Sequence, residues 1–245
     1  MIVYPRLVGR LGNQQFEAAC AIGYARAHGI DFHIPEHTAN DSLWHPHITW
    51  LVNPKFDASK PIKKIEERHH HFNHLDFSKN WGDVNLELNG YWQSERYFEH
   101  CKQEIADLLG FSHPTFQAIA MHVRRGDYLT LPDQFPVLPV KYYEQAMRDL
   151  PNIPIWIFSD DIEWCRQNLS HLGNVKFMDE QDPLKAMRLM CECNYQVIAN
   201  SSFSLFPALL YDKVVVSPHP DIWYGKKAGL PTKDLIPERF IKIRI

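Results

Sequence analysis

The opening stretch from Ile2 to Val8, apolar except at Arg6, reads as a β-strand, and a turn, Gly9-Arg10-Leu11-Gly12-Asn13, follows at once. Beyond it Phe16, Ala19, Cys20, Gly23 and Ala27 recur at helical spacing, and Gly29 supplies a C-terminal stop. Ile30 to Ile34 then reads as a second strand. Strand, glycine turn, helix and strand in that order predict a βαβ unit of a parallel sheet. Residues 35 to 85 show no sustained period and place proline, histidine and tryptophan in loop-like contexts. Leu86-Glu87-Leu88 alternates as a strand. A helix is expected from Ser94 or Glu95 to Leu109, closed by Gly110. The stretch "FSHPTF" (Phe111–Phe116) marks a boundary, giving an N-terminal half over 1–112 and a C-terminal half over 113–245.

The second half repeats the rhythm. Strands are predicted at Ile119–Val123, Ile155–Phe158, Tyr195–Ala199 and, last, Val214–Val216. Helices are predicted at Lys141–Leu150 and Pro183–Cys193, and Ser159-Asp160-Asp161 is placed to cap a helix of its own. The predicted class is α/β, in two halves, with polar clusters at the carboxyl ends of strands. Open α/β sheets bind their ligands there.

Composition adds mainly exclusions. The 245 residues are 45% hydrophobic and 22% charged, enough for a sizeable core. With 26 basic and 29 acidic residues the net charge is −3, which gives no electrostatic case for nucleic acid. The five cysteines form neither a disulfide frame nor a zinc spacing, so a reducing, cytoplasmic setting is expected. Pro5, Arg6 and Arg10 break the first apolar run, which argues against a signal peptide. No stretch of about 18 apolar residues offers a membrane span, so any membrane contact would be peripheral. Arg68-His69-His70-His71 with His74 reads as a solvated loop rather than a metal site.

The chemistry concentrates in "HVRRGDY", His122–Tyr128. An arginine pair at a strand end suits a phosphate, because guanidinium is planar and donates in a fork. Side chains alternate along a strand, so Arg124 and Arg125 should face different ways. Arg124 shares a face with His122 and is the better ligand candidate, while the other arginine can pair with a neighbouring carboxylate; the alternative reading of the pair is a structural salt bridge to Asp127 or another acid. The Gly9–Gln14 turn and the run Asn200-Ser201-Ser202-Phe203-Ser204 each join a strand to a helix, where N–H groups favour anions or simply cap the helix. The chain has no Asp-x-Asp pair to hold a divalent metal and no Gly-x-Ser-x-Gly esterase turn.

Six segments, "GRLGNQQFEAA", "GYWQSERYF", "HVRRGDY", "FSDD", "MCECNYQVIANSSFS" and "PERFIKI", occur in the order seen in glycosyltransferase family 11. The chain resembles that family from Gly9 to Ile243. The resemblance implies a GT-B-like fold of two facing Rossmann-like α/β halves, with the donor site in the C-terminal half and the last residues packing back on the N-terminal one. It implies an inverting, metal-independent α-1,2-fucosyltransferase that moves L-fucose from GDP-β-L-fucose to a galactose 2-hydroxyl of an oligosaccharide or lipid-linked glycan. No cofactor is implied. Carried over by motif, His122, Arg124 and Asp127 form the catalytic set. Arg124, Arg125, Asn200, Ser201, Ser202 and Phe203 bind the donor, and Gly12, Asn13 and Gln14 line the acceptor side. Two departures stand out. Ala186 occupies a place where the family often has an aspartate, and in related fucosyltransferases a carboxylate near there reads guanine; Asp179, Glu180 or Asp182 could substitute. Ser204-Leu205-Phe206 replaces Ser-Trp-Trp. Two alternatives remain: another donor or linkage on the same scaffold, or a non-catalytic nucleotide- or glycan-binding protein.

Overall fold

The first apolar run forms β1 (Ile2–Pro5) and stops short of the expected Val8. Residues 6–9 instead climb to the turn, where Gly9 takes φ +70°, a conformation that disfavours any side chain. The helix α1 (Leu11–His28) follows and is buried from Leu11 to Ala25 except at Asn13. A helix covered on most sides carries little amphipathic signal. Gly29, in the left-handed region, ends it by donating its N–H to the Ala25 carbonyl. The computed structural model describes residues 1–35, 56–68, 71–73, 75 and 82–245. The chain divides into one unit of Met1–Gly110 with Lys233–Leu235 and a second of Phe111–Thr232 with Ile236–Ile245.

In the first unit, β1 pairs in parallel with β2 (Asp31–Phe32) and with β4 (Asn85–Asn89), and β4 with β3 (Ile62–Glu66), in the order β2-β1-β4-β3. The strand β3 lies where the sequence showed no period. It is an edge strand with four of its five residues exposed, so no buried face marks it. The expected helix from Ser94 is two 3-10 turns, Glu95–Tyr97 and Glu99–Cys101, before α2 (Lys102–Leu109). Tertiary packing accounts for the interruption: the Tyr97 carbonyl lies so close to Gly23 of α1 that a side-chain carbon there would collide with it. Within α1, Glu17 is fully buried and its Oε2 accepts the Val8 N–H at 2.8 Å, tying the turn to the helix. Burial drives its pKa well above the carboxylate range against the lowering effect of that N–H, and the Glu67 charge adds to the rise.

The second unit holds β5 (Phe116–Val123), α3 (Val140–Ala146), β6 (Ile155–Ser159), α4 (Ile162–Leu169), β7 (Val175–Phe177), α5 (Pro183–Cys191), β8 (Cys193–Val197), α6 (Ser202–Leu209), β9 (Val214–Pro218) and β10 (Ile241–Ile243). Helix α3 ends before the expected Leu150, and α5 stops at Cys191 because Cys193 already enters β8. Beyond β9 a further strand, β10, closes the sheet edge, so Val214–Val216 is not the last. The order β10-β9-β8-β5-β6-β7 is parallel throughout. The chain steps from β5 out to β6 and β7, then returns to the other flank of β5 with β8. The switch point therefore falls between β5 and β8, where such sheets open a crevice at their carboxyl ends. Ile119, Met121, Val123, Ile155, Ile157, Val197 and Ala199 bury one face of this sheet against Tyr142, Tyr143, Cys165 and Leu169. Central parallel strands covered by helices read as continuous apolar runs, which is why β5 was legible.

Candidate functional site

Two features of β5 and β6 place the arginine motif. Their parallel register sets His122 beside Phe158 and Val123 beside Ser159, so the residues just past both strand ends are neighbours. Arg124 and Asp160 meet there: Arg124 Nη1 lies 2.9 Å from Asp160 Oδ2. Its Nη2 lies 2.5 Å from Asp127 Oδ1, and the guanidinium carbon sits 5.3 Å from the Tyr128 ring centre. Asp160 also accepts the backbone N–H of Arg125 at 2.9 Å. Gly126 makes this clamp possible, since a Cβ there would overlap Asp160 Oδ2.

The two arginines do part. Arg125 Nε pairs with Asp161 Oδ2 at 2.9 Å and its guanidinium stacks 3.9 Å from the Trp164 ring centre. Asp161 also accepts the Trp164 N–H and so caps α4.

Arg124 lines a cavity of about 350 Å³ at the carboxyl ends of β5, β6 and β7. His122, Phe158, Ser159, Asp160, Ile162, Met178, Asp179, Glu180, Gln181, Pro183, Ala186 and Phe203 complete its lining. The volume lies in the range of small-molecule sites. A hydrogen bond to Asp127 and an ion pair with Asp160 engage the two terminal nitrogens of Arg124. Its Nε is buried with no partner among the described residues. A buried donor left unpaired is costly unless a ligand or water meets it.

His122 is 3% exposed, with Nδ1 2.9 Å from Ser204 Oγ and its ring 5.3 Å from Phe203. Burial, then the Arg124 charge, lowers its pKa to about 3, so the imidazole is neutral at neutral pH. Tyr128 is pushed up to about 12, chiefly by burial, and its hydroxyl donates to the Asn200 carbonyl at 3.0 Å.

The serine run places its members in different surroundings. Of Asn200 to Phe203 only Phe203 lines the cavity. The Asn200 amide nitrogen donates to the carbonyls of Pro136 and Trp223 at 2.9 and 3.0 Å, joining two loops. Ser201 caps α6 by accepting the Phe203 N–H, and Ser202 opens the first turn of that helix. In the first unit, Gly12 and Gln14 are buried, and Gln14 Nε2 donates to the Gly9 carbonyl at 2.9 Å. Asn13 Oδ1 accepts from Gln93 Nε2 at 2.9 Å. Gln93 follows Trp92, a fully buried residue with φ +53°.

Sequence reasoning gave Asp160 no role beyond capping, took Ser204 only as a member of the Asn200–Ser204 run, and passed over Gln93, although all three lie in the quoted motifs. His69, His70 and His74 lie outside the described residues. Among the described residues no group of three or more His, Cys, Asp or Glu is gathered as a metal site, and no helix is long and apolar enough to cross a membrane.

A cavity at the carboxyl edge of a parallel α/β sheet, beside its switch point, is where such sheets bind ligands, and Arg124 gives this one a cation able to meet an anion. The chain belongs to glycosyl transferase family 11, whose profile it matches over residues 4–219, and it is a glycosyltransferase. It is 27% identical to an alpha-1,2-colitosyltransferase of Escherichia coli, over 99% of either chain. It is 36% identical to an O-antigen biosynthesis glycosyltransferase of Escherichia coli over 43% of this chain and 39% of that one. It is also 27% identical to galactoside alpha-(1,2)-fucosyltransferase 1 of Plecturocebus brunneus, over 85% of this chain and 64% of that enzyme. The chain thus spans less than two thirds of the length of the latter two. A solved fucosyltransferase from Bradyrhizobium aligns at TM-score 0.46 and 13% identity, over 85% of this chain and 91% of that one, too loosely to bear on function.

Proposed function

We propose that this glycosyltransferase moves L-fucose from GDP-β-L-fucose to the 2-hydroxyl of a galactose in a glycan acceptor, with inversion and without a metal ion. The observation that carries the reading is Arg124: held by Asp127 and Asp160 in the second-unit cavity, it keeps N–H groups that no described residue uses. A sugar diphosphate supplies the matching oxygens. In the reaction the acceptor oxygen bonds to the fucosyl anomeric carbon as the bond to the diphosphate oxygen breaks. The electron pair leaves with GDP, and the acceptor proton passes to a base or to the departing phosphate. Positioned donors stabilise that leaving charge, commonly by several kcal/mol in such sites. Asp127 is one candidate base, though its bond to Arg124 gives it a holding role as well. Gly12, Asn13 and Gln14 with Gln93 are proposed to serve the acceptor.

Ala186 lies in the cavity wall with Asp179, Glu180 and Gln181. Asp182 spends its Oδ1 on the N–H groups of Leu184 and Lys185, capping α5. Asp182 does not line the cavity and Asp179 and Glu180 do, so one of these two is the carboxylate proposed to meet guanine. The reaction is placed in the cytoplasm, with peripheral contact to any lipid-linked acceptor.

A second reading takes colitose, fucose without its 3-hydroxyl, as the transferred sugar. The full-length relation to a colitosyltransferase favours it. The deciding experiment presents purified protein with GDP-fucose or GDP-colitose, in EDTA, with and without lactose or N-acetyllactosamine. Acceptor-stimulated GDP release from GDP-fucose, with an α-1,2 product by linkage analysis, is expected. Release from GDP-colitose alone would move the assignment to the second reading, and release from neither would defeat both.

A further inference from the structure

The His122 ring carries a question that the donor reading leaves open: which nitrogen holds the proton. The ring lines the cavity. Nδ1 is taken by Ser204 Oγ at 2.9 Å. Nε2 has no hydrogen-bond partner among the described residues, yet it is not among the atoms sealed from solvent without one. An otherwise buried imidazole therefore opens one free nitrogen to the cavity that Arg124 also lines.

Ser204 decides that nitrogen's character. A serine hydroxyl has one proton and three nearby acceptors to choose from here. The carbonyls of Ala199 and Ser201 lie 3.5 and 3.4 Å away, beyond the usual O–H···O distance, whereas Nδ1 lies at 2.9 Å. The short contact takes the proton. A neutral imidazole that accepts at Nδ1 must carry its hydrogen at Nε2.

We infer that Ser204 is a positioning residue of the donor site, its hydroxyl donating to His122 Nδ1 and so holding the ring as the tautomer that offers an N–H from Nε2 to a phosphate oxygen of the nucleotide. The inference rests on the donor reading above. It makes His122 an uncharged donor that supplements Arg124, and it gives a function to the last serine of the Asn200–Ser204 run. Ser204 is 1% exposed, so it acts through the ring and not by touching the ligand.

The test is nitrogen NMR of protein labelled with ¹⁵N-histidine, with His122 assigned by loss of its signals in His122→Gln, alongside calorimetric titration with GDP. In the wild type, Nδ1 should show the shift of an unprotonated ring nitrogen and Nε2 that of a protonated one. Ser204→Ala should redistribute the proton between the two nitrogens and weaken GDP by about tenfold, the size of one lost hydrogen bond to a charged group. Ser204→Thr, which keeps the hydroxyl, should restore the wild-type tautomer, and the spectra report it even if packing lowers its stability. A protonated Nδ1 in the wild type, or ring shifts unchanged in Ser204→Ala, would overturn the inference. If the wild type shows the expected tautomer but does not bind GDP, the donor reading and the phosphate contact fail together, while the Ser204–His122 proton assignment stands.

Discussion

Replacing Gly126 by alanine strikes the arginine clamp without touching any of its charged members. A Cβ at 126 would overlap Asp160 Oδ2, and Gly126 has no positive φ, so the effect is purely a matter of space. To regain ordinary contact the carboxylate must withdraw by about 1 Å. The same carboxylate holds Arg124 Nη1 and the Arg125 N–H, each at 2.9 Å. Lengthened that far, the ion pair weakens and the Arg125 N–H passes out of hydrogen-bond range. A hydrogen bond to a charged group contributes about 1.5–3 kcal/mol and a partly exposed ion pair about 1 kcal/mol or less. The Asp160 side chain is 26% exposed, so solvent reduces the sum. A loss of about 2 kcal/mol in stability is expected, with GDP affinity about tenfold lower because Arg124 is no longer fixed. Asp160→Ala should lose a similar amount. In the double variant the new methyl group meets no carboxylate, so it should be no worse than Asp160→Ala alone, a coupling of about 2 kcal/mol. Urea denaturation of the four proteins, each titrated with GDP, measures the cycle. Single losses that add to within about 0.5 kcal/mol would refute the competition for space on which this reasoning depends.

Other outcomes follow from the same geometry. Folding lowers the His122 pKa from 6.5 to about 3, so the unfolded chain takes up the proton first as pH falls. Stability measured by urea midpoint should hold above pH 6.5 and decline from there toward pH 3, and His122→Gln should remove part of that slope. Glu17 behaves in the opposite sense. Its folded pKa is raised, so its contribution is present below 4.5 and is lost as pH rises through the folded value. Glu17→Gln mimics the protonated form, and thermal melts at pH 8 should find it at least as stable as wild type; marked destabilisation there would contradict the assignment. Arg125→Lys forfeits the stacking on Trp164 and should lose about 1 kcal/mol of stability while leaving GDP affinity within about twofold. Arg124→Lys should weaken GDP by about tenfold or more, and calorimetry with the two results exchanged would show that the wrong arginine was given to the ligand.

The central strands of the second unit were legible because burial on both faces writes a continuous apolar run, as in Ile119–Val123. The helix α1 was legible from its spacing and from Gly29 at its end. What escaped lacked a buried stripe or depended on contacts distant in sequence. Strand β3 exposes most of its side chains, and β10 has three residues with one of them exposed. The break in the helix after Ser94 arises where Tyr97 meets Gly23 across the fold, and no local propensity records that. At the site, alternation alone put His122 and Arg124 on one face and sent Arg125 elsewhere. Asp160 could not be read as their partner, because its place beside Arg124 follows from the register of β5 on β6. The loop contacts of the Asn200 amide, to Pro136 and Trp223, likewise join residues far apart in sequence, and the motif does not record them.

The composition of the first unit bears on how the protein is made. Its residues are 1–110 together with Lys233–Leu235, and Arg96 forms an ion pair with Asp234 at 3.2 Å. A chain leaving the ribosome from its amino end delivers the first 110 residues long before that short segment. Domains generally fold in order of synthesis. Here the unit that emerges first cannot be finished until Lys233–Leu235 has followed. Among its described residues the sheet is parallel and offers no hairpin to settle into while it waits, since each pairing closes over a crossover. A nascent chain halted before residue 233 should therefore hold its amino-terminal half in a protease-sensitive state, and extension past residue 235 should close that unit.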